Sequence, residues 1–108
     1  MWKYIQVLTT AEAKSQAEKF AETLVDKKMA GCVQIIGPIT SIYRWKGKIE
    51  KAEEWLCLIK TKAELFDEVE KTIRQMHTYE TPEIISIPIT VGSKKYLQWL
   101  EGVVKTVK

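Results

Sequence analysis

Histidine is nearly missing from this chain: one occurs among 108 residues, His77. That scarcity excludes a zinc centre built on several histidines, because such a centre needs three or four Cys, His or carboxylate ligands. Cysteine is scarce too. Cys32 and Cys57 occur without a CxxC pair, so a disulfide framework and a cysteine zinc cluster are both excluded. Each sits in an apolar strand-like run, AGCVQII or WLCLI, where a thiol packs as a small hydrophobe. No apolar run approaches the ~20 residues that span a bilayer. The opening MWKYIQVLTT reads as a first strand and not as a signal peptide, so the expectation is a cytoplasmic protein with no membrane partner.

Charge of one sign is equally lacking. Lys and Arg number 17 against 14 Asp and Glu, and the signs interleave, as in KGKIEKAEE. Without a basic block there is no electrostatic footprint for nucleic acid or an anionic membrane. A glycine-rich phosphate loop, a nucleophile elbow and glycosidase-like paired carboxylates are absent, and no enzyme is expected.

What is present is a regular succession of elements in a length suited to one domain, 1–108. YIQVL predicts a strand ending at Thr9 and Thr10, and Thr9 stands three residues before Glu12, the spacing of a capping box. Ala17, Phe20, Ala21, Leu24 and Val25 then recur at helical spacing, with Gly31 as the expected stop. CVQII starts a second strand, interrupted at Gly37-Pro38 and resumed by ITSIYRW. Lys46-Gly47 turns it into a third strand running to Lys60.

Thr61 and Glu64 repeat the capping spacing ahead of a second helix carrying Leu65, Phe66, Val69, Ile73 and Met76 and ending near His77. EIISIPITV follows as a fourth strand, placed at an edge by Pro88, and 94–105 reads as a shorter helix. The order predicts an α+β fold: a ferredoxin-like βαββαβ two-layer sandwich with an extended β2-β3 hairpin and an added C-terminal helix.

In such a sandwich one sheet face is covered by helices, and strands should alternate. The fourth does: Ile85, Ile87, Ile89 and Val91 oppose Ser86, Pro88 and Thr90. The third is apolar on both sides, with Trp55, Cys57 and Ile59 against Leu56 and Leu58. A strand of that kind needs cover twice, which points to a homo-oligomer whose interface includes Tyr43, Trp45, Trp55, Leu56 and Leu58.

His77 admits two readings: a weak copper or zinc ligand helped by Glu80, Glu83 or Met76, or an imidazole meeting the carbonyl end of a helix dipole. Glu50, Glu53 and Glu54 admit a weak surface ion site or a hairpin charged against aggregation. The βαββαβ order also builds RNA-recognition modules, but EEWLCLIK lacks their aromatic third-strand motif, so nucleic acid is not an expected partner.

AGCVQII, TSIYRWKGKIEKAEEWLCLIKT, HTYETPEIISIPI and YLQWL, in that order and spacing from about Val7 to Trp99, resemble the CutA family of divalent-cation tolerance proteins. The resemblance implies PII-like architecture and a homotrimer in which hairpins extend the neighbours' sheets. It also implies an association with copper and other divalent metal ions, and no established enzymatic activity. Metal sites described in some members use a cysteine ending the first strand and adjacent histidines before a Tyr-x-x-Pro segment. Those places here hold Thr9, Met76 and His77, so weak binding of copper or another divalent cation is expected, with His77 as the retained ligand. Tyr79, Glu80 and Glu83 are expected near a subunit cleft. The alternative function is a PII-like signalling or scaffold module that takes a small effector or protein partner at such clefts.

Overall fold

The computed structural model describes residues 2–107. Strand β1 (Tyr4–Ala11), helix α1 (Lys14–Asp26), strands β2 (Cys32–Trp45) and β3 (Lys48–Lys62), helix α2 (Phe66–Met76), strand β4 (Ile84–Pro88) and helix α3 (Lys94–Val103) follow in order. The sheet runs β2-β3-β1-β4, and all its pairings are antiparallel. Right-handed crossovers put α1 and α2 on one face. There Ile5, Val7, Cys57 and Ile59 of the central strands meet Ala17, Phe20 and Leu24 of α1 and Val69 and Ile73 of α2. This is the ferredoxin-like two-layer sandwich with a long hairpin and an added helix.

Neither predicted capping box forms. Thr9 continues β1, opposite Cys57 on one side and Ile84 on the other, and α1 starts from Ala13 with no side-chain cap. Thr61 likewise stays in β3, and its buried hydroxyl donates to the Met29 carbonyl at 2.6 Å. A cap contributes only about 1 kcal/mol, less than the ladder bonds and burial that hold these threonines in strands. The stop of α1 also moves, since Lys28, not Gly31, takes the left-handed conformation (φ 60°). The hairpin turn does follow the sequence: Lys46 (φ 51°) and Gly47 (φ 78°) are both left-handed, as a twist-matched two-residue turn requires.

The helix-free face explains the two-sided β3. Leu56 and Leu58 lie on it between Ile36 and Gln34 of β2 and Thr10 and Leu8 of β1. The isoleucines of β4 also take that side. Ile85 and Ile87 pair with Leu8 and Gln6 and are about half exposed, at 49% and 48%, whereas Ile84 packs on the core. The strand ends at Pro88, so Ile89 and Val91 do not extend it. Helix α3 covers one end of the open face, where fully buried Leu100 and also Val103 approach Gly31.

Trp55 points to the helix side, partly buried against the core. It lies beneath the β2 irregularity between Ile36 and Ile39, and a Cβ on Gly37 would stand 2.6 Å from its Cγ. Gly37→Ala should therefore force the indole aside and destabilise the fold by about 1–3 kcal/mol. Urea unfolding followed by tryptophan fluorescence checks this, and an unchanged midpoint would contradict the close approach.

Candidate functional site

The segment after α2 is pinned by its own side chains. The His77 N–H closes the helix on the Ile73 carbonyl at 2.8 Å, and the residue then turns extended (φ −75°, ψ 145°). Its Nε2 lies 2.7 Å from the Thr10 carbonyl, and its Nδ1 accepts from the Tyr79 N–H at 3.1 Å. A carbonyl cannot donate, so Nε2 carries the proton and Nδ1 the lone pair. The ring also lies between Phe20 and Tyr79, with centroids 5.1 and 4.7 Å away. His77 thus ties α2, β1, α1 and the turn together.

Tyr79 extends the cluster to the hairpin. Its hydroxyl donates to Glu54 Oε2 at 2.7 Å, and burial together with the Glu54 carboxylate pushes that hydroxyl well above the ordinary tyrosine range. Glu54 is 6% exposed. Thr78 links the turn to the start of α1, donating to Glu12 Oε1 at 2.8 Å and accepting from Gln16 Nε2 at 3.4 Å. Glu80 and Glu83 are exposed. The structure therefore brings His77 and Tyr79 together and leaves both of those carboxylates in solvent.

Three side chains stand at the positions where the resemblance implies metal ligands. Thr9 supplies a fully buried hydroxyl with no hydrogen-bond partner, Met76 a partly buried thioether, and His77 an imidazole with both nitrogens engaged. Among the described residues no group of three or more His, Cys, Asp or Glu is placed to hold an ion. A neutral hydroxyl, a thioether and an occupied imidazole fit at most weak binding.

Sequence reasoning singled out Glu54 with Glu50 and Glu53 as hairpin-surface carboxylates and missed its burial and its bond from Tyr79. Of the adjacent Glu53 and Glu54, period-two alternation puts Glu54 on the side of Leu56 and Leu58, which was the available signal. It also missed a charged cluster that anchors α3. Glu101 accepts from Tyr4 Oη at 2.9 Å and Lys62 Nζ at 3.1 Å and pairs with Lys3 at 3.1 Å. Those partners hold its carboxyl at about 2, below the ordinary 4.5. Lys62, 2% exposed, also meets Glu64 at 3.2 Å. Burial opposes its charge, but the two carboxylates outweigh burial and raise its pKa.

The family model for CutA1 divalent ion tolerance protein matches residues 5–103. The divalent-cation tolerance protein CutA of Archaeoglobus fulgidus is 42% identical over 99 residues, covering 92% of this chain and 96% of its own. Protein CutA of Homo sapiens is 41% identical over 98 residues, covering 91% of this chain and 55% of its own, so the chain spans about half of that relative. The crystal structure of CutA1 from Oryza sativa superposes with a TM-score of 0.95 at 34% identity, over 98% of this chain and 97% of that one.

Two outcomes test the clusters. Tyr79→Phe removes the hydrogen bond from a buried carboxylate and should cost about 1–3 kcal/mol in urea unfolding; no loss would mean that Glu54 does not depend on the phenol. For Glu101 the folded pKa is the depressed one, so its contribution is present above 4.5 and lost as pH falls through about 2. The gap in thermal midpoint between wild type and Glu101→Gln should be widest near neutrality and close toward that lower limit. A gap independent of pH would refute the anchoring role.

Proposed function

Because the chain belongs to the CutA1 divalent ion tolerance family, we propose that it acts as a non-enzymatic, cytoplasmic homotrimer in divalent-ion tolerance, with weak binding of copper or a similar cation. The observation that carries the assembly is the half-uncovered sheet. Ile36, Ile85 and Ile87 are each about half exposed on it, and the hairpin extends the same side with Tyr43 and Trp45, while Ile42 and Ile49 project from the hairpin's other side. A contiguous apolar face of this kind marks an interaction surface. Both edge strands, β2 and β4, also carry unpaired backbone groups that a neighbour's hairpin would satisfy.

Cytoplasmic residence is supported by two free cysteines, with the Cys57 thiol pushed up to about 11 by burial, where it is inert. No helix of the described residues is long and apolar enough to cross a membrane. Ion binding at His77 would require Nδ1 to surrender the Tyr79 N–H, which accounts for weakness and not for selectivity. Glu80, exposed in the same turn, supplies the carboxylate closest in sequence to that exchange.

Light scattering at micromolar concentration should give three times the 12.5 kDa of one chain; a monomer would end this reading. In calorimetric titration with Cu(II), His77→Ala should bind more weakly than wild type. Indistinguishable curves would remove His77 from the ion site.

A further inference from the structure

Two ionic side chains on the open face of β3 have no ion-pair partner among the described residues. Glu54 is 6% exposed and receives the Tyr79 phenol, yet makes no ion pair among the described residues. A carboxylate has room for about four donors. Lys60, partly buried, donates from Nζ to the neutral Gln34 Oε1 at 3.0 Å and likewise has no carboxylate, and burial lowers its pKa. Nearby Lys62 is already taken by Glu64 and Glu101. Desolvating a carboxylate without a counter-ion costs several kcal/mol, so Glu54 is set for a cationic partner, and Lys60, whose bond to Gln34 is exposed, is an ammonium available to a carboxylate.

They cannot serve each other. Six residues of extended strand separate them, roughly 20 Å, with Leu56 and Leu58 in between on the same side of the strand. We propose that, in the self-assembled protein, Lys60 of one copy pairs with the Glu54–Tyr79 acceptor of the next. The inference rests on the self-assembly reading above and names the contact that sets its register. Opposite charges at the two ends of one apolar face make that face complementary to another copy of itself, head to tail, the kind of contact that closes a ring. An ammonium also suits this acceptor better than a metal ion does. The Tyr79 proton already points at the carboxylate, and among the described residues no group of three or more His, Cys, Asp or Glu gathers there to hold an ion. Leu56 and Leu58 flank the pair and would exclude water from it.

The test uses the full chain with Glu54→Gln, Lys60→Gln and the double variant. Glutamine keeps an acceptor for Tyr79, and Lys60 is partly solvated, so the variants should fold; circular dichroism and urea midpoints verify that they do. Sedimentation over a dilution series should find each single substitution weakening assembly by ~30-fold or more, as for a desolvated charge pair that loses one partner. The double variant should be no weaker than the worse single one, and the exchange Glu54→Lys with Lys60→Glu should recover part of the loss that either reversal causes alone. An assembled wild type with strictly additive losses would overturn the pairing and leave self-assembly standing, whereas a monomeric wild type would overturn both. A Glu54→Gln protein that assembles normally but has lost Cu(II) heat would assign the carboxylate to an ion and overturn the pairing.

Discussion

The antiparallel ladder between β1 and β3 is the constraint on which the other elements depend. It runs from Tyr4 opposite Lys62 to Ala11 opposite Trp55 without a break, and it decides which side every residue of the two central strands takes. On one side it gathers Ile5, Val7, Cys57 and Ile59 for the helices; on the other it leaves Leu8, Leu56 and Leu58. A slip of one residue would exchange these sets and bury Gln6 and Lys60 under α1 and α2. The single register therefore fixes the core, the open face and the level at which α3 finds Tyr4 and Lys62.

The ladder also explains which parts of the fold were legible in the sequence. Periodicity located all four strands and three helices because each buries one stripe, and Lys46-Gly47 announced its turn through the glycine. The capping boxes misled because Thr9 and Thr61 satisfy a spacing rule that is local, while their strand pairing is not. Thr61 finds its acceptor at Met29, 32 residues away. The alternation of Ile85 and Ile87 was correctly read, but a period-two pattern does not say which face the helices occupy. Only the pairing of Leu8 with Ile85 places those side chains away from the helices.

The candidate site was less legible for the same reason. Chemistry-bearing residues could be found by type, and His77 and Tyr79 were, but their partners lie far along the chain. Thr10 is 67 positions from His77, and Glu54 is 25 from Tyr79. Beside the readings as ligand and as helix terminus, the structure adds an arrangement in which the imidazole of the residue that ends α2 joins two backbone groups, the Thr10 carbonyl and the Tyr79 N–H. A side chain used in that way is held rigid by both nitrogens, and rigidity of the turn is what allows Tyr79 to reach the hairpin.

That reach connects the turn to the surface on which assembly depends. His77 sets the direction of Tyr79, Tyr79 fixes the carboxylate of Glu54, and Glu54 stands at one end of the apolar face that ends at Lys60. Weak ion binding at Nδ1 would compete with the first of these bonds and loosen the second. An ion bound at the turn would thereby act on the orientation of a carboxylate at the subunit face, through one amide and one phenol and without direct contact. Coupling of this kind needs differential affinity of the ion for the two arrangements of the turn, and the bond it must break is the 3.1 Å contact from the Tyr79 N–H. The energetic separation between the two arrangements is set by one modest bond of about 1 kcal/mol. A separation that small is one that a weakly bound cation can overcome.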